Sequence, residues 1–98
     1  MKAKLENHNG NDYLIFHVTG LEFPTVLPVI TKGSRDKANA WTWNGDLEKP
    51  TLKPSVRINY HNGEKMTEIH YWLNNGIVNC LDDCKDGNAR KKLKLIDI

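Results

Sequence analysis

The chain has 98 residues, 39% apolar and 27% charged, with three Trp, three Tyr and two Phe. That suffices for one domain whose modest core needs neither disulfide nor metal, and it excludes a disordered tail. A net charge of +2 excludes an acidic nucleic-acid mimic and argues against a nucleic-acid partner. The N-terminus has no apolar leader, and no stretch approaches the roughly 18 apolar residues of a membrane span. The expected location is therefore the cytoplasm, with Cys80 and Cys84 reduced. A Cys-x3-Cys pair is by itself a poor zinc signal, because two more ligands are needed.

Asn-Gly steps at Asn9-Gly10, Asn62-Gly63 and Asn75-Gly76 punctuate segments of alternating apolar residues, the strongest short hairpin signal a sequence offers. A two-residue type I′ loop at Asn9-Gly10 sets Leu5 opposite Leu14 and Ala3 opposite Phe16, with Val18 on the same apolar face. Residues 19–30 carry Gly20, Pro24 and Pro28, which predicts a loop and one short strand over 25–31. Pro28 should confine that strand to an edge or an irregular position. Residues 32–39 form a polar connector.

Residues 40–55 hold Trp41, Trp43, the step Asn44-Gly45, Pro50 and Pro54. This run cannot be helical, since each proline lacks an N–H and pushes its predecessor out of the α region. It predicts a short aromatic strand, a turn at Asn44-Gly45, and an extended rigid arm leading to a strand near Ser55. Trp41 and Trp43 share a parity, so one side of that strand must be covered by core or by a partner.

If Asn62-Gly63 is also a two-residue loop, Val56 pairs with Ile69, Ile58 with Thr67, Tyr60 with Lys65, Arg57 with Glu68 and Ser55 with His70. The turn at Asn75-Gly76 pairs Tyr71 with Cys80, Leu73 with Val78, Trp72 with Asn79 and His70 with Leu81. Both turns put Val56, Ile58, Ile69, Tyr71, Leu73, Val78 and Cys80 on one face, which is the predicted core. Beyond Leu81 comes an acidic, turn-rich break, a helical turn over 88–91 and a short strand over 93–96. The basic run Arg90-Lys91-Lys92-Leu93-Lys94 is accounted for as a lysine-guarded strand end. The expected fold is mostly β: one small domain over 1–98, an antiparallel meander of hairpins with at most one short helical turn.

The opposite face gathers Ser55, His70, Trp72 and Leu81, with Asp83 on the same parity if the strand lasts that far. Ser, His and Asp are the minimum set for an activated hydroxyl, although a Ser–His hydrogen bond in a partly buried sheet also accounts for them. Cys84 is a second candidate nucleophile with His70 as base, but Asp82, Asp83 and Asp86 oppose a thiolate there. Cys80 is expected to be a small buried hydrophobe. His8 and His61 precede turns and should be exposed. Trp72, sharing a face with a histidine, is the best candidate for a pocket wall.

The segment W-T-W-N-G-D-L-E-K-P-T-L-K-P-S at 41–55 resembles a family of small bacterial and phage proteins, some found beside bacterial ubiquitin-like conjugation genes. The likeness extends to Val26-Leu27-Pro28-Val29 and to the C-terminal third from His70 through Asp83-Cys84. The resemblance implies a zinc site; of its motif positions only His70, Asp83 and Cys84 are kept here, and Val18, Leu21, Thr25, Ile69 and Asp86 stand at the others, which predicts no metal and no cofactor. It also implies serines at positions held here by Tyr71 and Asp82, so a hydrolase mechanism relying on either serine would be lost in this chain.

Two functions follow. The leading one is a phage- or mobile-element-type, non-catalytic protein that binds another protein in a regulatory or counter-defence role. Trp41, Trp43, Asn44, Lys49 and Trp72 would make that contact. The alternative is a peptidase-like serine or thiol hydrolase acting on peptide or ubiquitin-like protein tails, using Ser55 or Cys84 with His70 and Asp83.

Overall fold

The computed structural model describes residues 1–34 and 38–98, so the connector expected over 32–39 lies in part outside the described residues. The described residues form nine strands and no helix. Strands β1 (Ala3–His8), β2 (Asn11–Phe16), β3 (Thr25–Ile30), β4 (Trp41–Trp43) and β5 (Leu52–Lys53) make a five-stranded sheet in that order. Strands β6 (Val56–Asn62), β7 (Lys65–Asn74), β8 (Ile77–Cys80) and β9 (Lys92–Lys94) make a four-stranded sheet. Neighbours are antiparallel except β3 and β4, which run parallel. None of the described segments is a helix long and apolar enough to cross a membrane.

The first and third hairpins have the expected registers, with Leu5 opposite Leu14 and Tyr71 opposite Cys80. At both turns the Asn and the Gly take left-handed backbone angles, as a type I′ loop requires. The second hairpin differs. Only Gly63 is left-handed there, and the loop is Gly63-Glu64, closed by Asn62 opposite Lys65. A turn with glycine in its first central position suits type II′. The register moves by two residues, so Val56 faces Tyr71, Ile58 faces Ile69 and Arg57 faces His70. A shift of two preserves every side chain's face.

Three other expectations are corrected. Pro28 lies in an interior strand, between β2 and β4, and is tolerated because β4 pairs only with the next two residues, Val29 and Ile30. The arm after Trp43 is not extended: Thr42 pairs with Lys53 and Trp43 with Leu52, and the loop between is folded on its own side chains. Asn44 Oδ1 accepts from the amides of Asp46 and Thr51, Asn44 Nδ2 donates to Lys49 O, and Asp46 Oδ1 accepts from the amides of Glu48 and Lys49. The segment 88–91 is a single turn closed by Lys91 N–H to Asn88 O, with Arg90 left-handed, not a helical one.

The inward faces of the two sheets share one core. Leu14, Phe16, Val29 and Leu52 from the first meet Val56, Ile69, Tyr71, Leu73 and Val78 from the second, all essentially without solvent contact. Val18 forms a bridge to Leu95 that stitches the sheets at one margin, and Gly76 N–H bonds Pro50 O at another. The outward face of the second sheet is left free for polar work, and it carries Arg57, His70 and Trp72.

Candidate active site

Ser55 stands immediately before β6, after the cis Lys53–Pro54 peptide. Its Oγ lies 3.0 Å from His70 Nε2. The other ring nitrogen, Nδ1, lies 3.0 and 3.1 Å from the two carboxylate oxygens of Asp83. The tautomer with its proton on Nδ1 donates to Asp83 and leaves Nε2 as the acceptor of the serine proton; Arg57 Nη2, a donor only, also lies 3.3 Å from Nδ1 and would bond that nitrogen only in the other tautomer. Ser55 and His70 therefore meet as their shared parity predicts, though diagonally, because the register places Arg57 and not Ser55 opposite His70. Asp83 does not extend β8, which ends at Cys80; it reaches His70 from the turn beyond.

That turn is fixed to β7 by its own backbone and by one thiol. Leu81 N–H donates to His70 O (2.8 Å) and Lys85 N–H to Glu68 O (2.9 Å). The Cys84 Sγ accepts from His70 N–H at 3.3 Å and donates to His70 O at 3.1 Å. Cys84 thus grips the main chain of the residue whose ring Asp83 holds. Both of these hydrogen bonds run to the His70 main chain and not to its ring. Cys80 is buried in the core as expected, and burial pushes its thiol up to about 12.

Arg57 completes the polar cluster. Its Nη2 donates to Asp83 Oδ2 at 3.1 Å, and its Nε pairs with Glu68 at 3.2 Å. Hydrogen bonding from His70, assisted by the charge of Arg57, holds the Asp83 carboxyl below its ordinary value. The expected Arg57–Glu68 ion pair forms, diagonally, and the Arg57–Asp83 contact is added to it. Its only trace in the sequence is that Arg57 shares a face with His70.

Trp41 is partly buried against the core and donates its indole N–H to Ser55 O at 3.3 Å, so the aromatic strand positions the hydroxyl's own residue. With Asn39, Ala40 and Pro54 it lines a shallow recess next to Ser55. Trp43 is also partly buried against the core, its indole N–H donating to Asp46 O. Asn44 and the Lys49 main chain hold their loop together. Trp72 is 43% exposed, opposite Asn79 and two residues from His70 on the same face. His8 and His61 are exposed, as expected.

Five of the positions that the resemblance assigns to zinc do not fit the ion. Val18, Leu21 and Ile69 offer no donor atom and are packed in the core with the buried Thr25, and Asp86 is engaged by Tyr60 O–H and by Asn88. Among the described residues no cluster of three or more His, Cys, Asp or Glu could hold a metal. Tyr71, where the resemblance implies a serine, points into the core and away from His70.

A serine, a histidine and a carboxylate in hydrogen-bonded series are the constellation of a serine hydrolase. Residues 5–81 match the family of bacterial ubiquitination-like system serine proteases (BubE), and the chain belongs to that family. The matched span contains Ser55 and His70, while Asp83 and Cys84 lie just beyond it. No curated protein and no solved structure matches the chain.

Proposed function

We propose that this chain is a serine hydrolase of the peptidase class, with Ser55 as nucleophile, His70 as general base and Asp83 as its orienting carboxylate. Its substrates would be peptide or ubiquitin-like protein tails. The observation that carries the reading is the unbroken series Ser55 Oγ, His70 Nε2, His70 Nδ1, Asp83, each link about 3 Å. The family's description as a protease of a ubiquitination-like system supports it. A non-catalytic binder would not require that alignment, and the aromatic arm offered to a partner is largely spent on packing and on its own loop.

In the reaction, Ser55 Oγ attacks the scissile carbonyl carbon as its proton passes to His70 Nε2. Asp83 stabilises the resulting imidazolium through the Nδ1–H bond. When the tetrahedral adduct collapses, the C–N bond breaks and the Nε2 proton leaves with the amine, so an acyl-serine remains. A water molecule then repeats the attack with His70 again as base, releasing the acid and restoring Ser55.

An alkyl fluorophosphonate probe tests this. It should label the wild-type protein at Ser55, and labelling should vanish in both Ser55→Ala and His70→Ala. A folded wild-type protein that stays unlabelled, or a label that persists in Ser55→Ala, would overturn the assignment.

A further inference from the structure

The nucleophile sits at the mouth of an unpaired strand. Among the described residues β6 is an edge of its sheet, bonded only to β7. In an antiparallel ladder, a residue of a central strand turns its N–H and C=O toward one neighbour, and the next residue turns them toward the other. His70 and Glu68 direct theirs to the far side of β7, where Leu81, Cys84 and Lys85 meet them. The residues between, Thr67, Ile69 and Tyr71, therefore bond β6 through Tyr60, Ile58 and Val56. Arg57, Asn59 and His61 are left with their main-chain groups facing outward, and among the described residues nothing hydrogen-bonds to them there. Ser55 has the same parity, and its outward carbonyl is the one that takes the Trp41 indole.

The edge also lacks the protection its counterparts carry. β5 has two residues, β9 reads Lys-Leu-Lys, and β1 carries Lys4 and ties its first residue to Leu47 O. β6 runs for seven residues with neither Lys nor Pro, and its single charge, Arg57, is turned to Glu68 and Asp83 on the sheet face. Long unpaired edges of this kind recruit a further strand.

We propose that the substrate binds as an added strand along the outer edge of β6, its backbone bonded to Arg57 and Asn59, which feeds an extended chain into Ser55. Arg57 lies two residues, about 7 Å, from the nucleophile, so a strand bonded there carries a carbonyl past the Ser55 hydroxyl. The substrate class is then an unfolded tail or linker, recognised mainly through its main chain, and not a loop fixed in a folded domain. This rests on the hydrolase reading above.

Asn59→Pro deletes one outward N–H and none used by β7, a change an edge strand tolerates. The protein is treated with an alkyl fluorophosphonate and with a tetrapeptide diphenyl phosphonate of randomised sequence. The expected result is at least a tenfold slower reaction of Asn59→Pro with the peptidyl probe and an unchanged rate with the alkyl probe. N-methylating the peptidyl probe at alternate amides should slow labelling of the wild-type protein in one parity only. That arm leaves the protein untouched, so it decides the matter even where Asn59→Pro disturbs the fold. Equal sensitivity to both parities, or unchanged peptidyl labelling in Asn59→Pro, overturns the added strand while the alkyl result keeps the triad. Loss of alkyl labelling in the wild type removes the triad and the proposal with it. A wild-type dimer in sedimentation that Asn59→Pro dissociates would assign the edge to a second copy of the chain instead.

Discussion

Two consecutive residues hold the candidate base from two directions: Asp83 bonds the ring of His70 and Cys84 bonds its amide and carbonyl. Their removal should therefore be distinguishable. Asp83→Asn keeps the shape but can present an N–H where Nδ1–H needs an acceptor, so the rate of fluorophosphonate labelling should fall by about 10²–10⁴-fold with the thermal midpoint little changed. Cys84→Ala leaves the His70 amide unpaired in a half-buried site and should cost about 1 kcal/mol of stability. Its labelling should be slower by a smaller factor and should still occur at Ser55. Cys84→Ser keeps a donor and an acceptor in place and should recover most of the loss. Chemical denaturation alongside probe kinetics reads both quantities. A Cys84→Ala protein that labels no more slowly than the wild type would show that the thiol holds the chain but not the base.

At the scale of the elements, the turns decide what the strands can present. Gly63 and Gly76 both have left-handed backbones, but a Cβ at Gly63 meets nothing within 4 Å, whereas at Gly76 it falls 3.2 Å from Lys49 Cα and 3.4 Å from Glu48 O. Gly63→Ala should cost about 1–2 kcal/mol, the ordinary penalty of the conformation. Gly76→Ala should cost about 1 kcal/mol more, because what it meets is main chain of the hydrogen-bonded loop between β4 and β5, which cannot rotate aside as a flexible side chain would. The urea midpoints of the two variants give the comparison, and equal midpoints would mean that the loop at 48–50 yields freely. The same turns explain how much of the site was legible. Alternation put Ser55, His70 and Trp72 on one face whichever residues closed the second loop, so the Ser–His pairing survived an error of two in register. Whether Asn62-Gly63 or Gly63-Glu64 makes the turn depends on one backbone angle, and both choices satisfy the same hydrophobic pattern. Asp83 and Cys84 lay beyond the reach of strand parity, because their positions come from a turn pinned by main-chain bonds to Glu68 and His70.

For the molecule as a whole, the seven residues expected beneath the second sheet do pack inward, Ile58 partly buried and the others buried, because alternation over three strands leaves one consistent inside. The partnership of that sheet with β1–β5 was not legible, since pairing rules describe neighbours within a sheet and say nothing of what lies across the core. It is across the core that one conflict remains. Thr25 comes from the first sheet and Tyr71 from the second; both are buried, and their hydroxyls lie near each other without reaching full hydrogen-bond geometry with any group among the described residues. A buried hydroxyl without a partner costs about 1–3 kcal/mol, and replacing both members of such a pair by apolar groups of the same shape removes that cost. Thr25→Val with Tyr71→Phe should thus be more stable than the wild type by about 1–2 kcal/mol. In a domain of this size each kcal/mol raises the thermal midpoint by about 4–8 °C. Both side chains point away from Ser55 and His70, so fluorophosphonate labelling should be unchanged. Calorimetry of the double variant decides the question: a lower midpoint would mean that the two hydroxyls satisfy each other or share a buried water, and that a polar bridge, not a dry contact, joins the sheets where the family resemblance placed a metal.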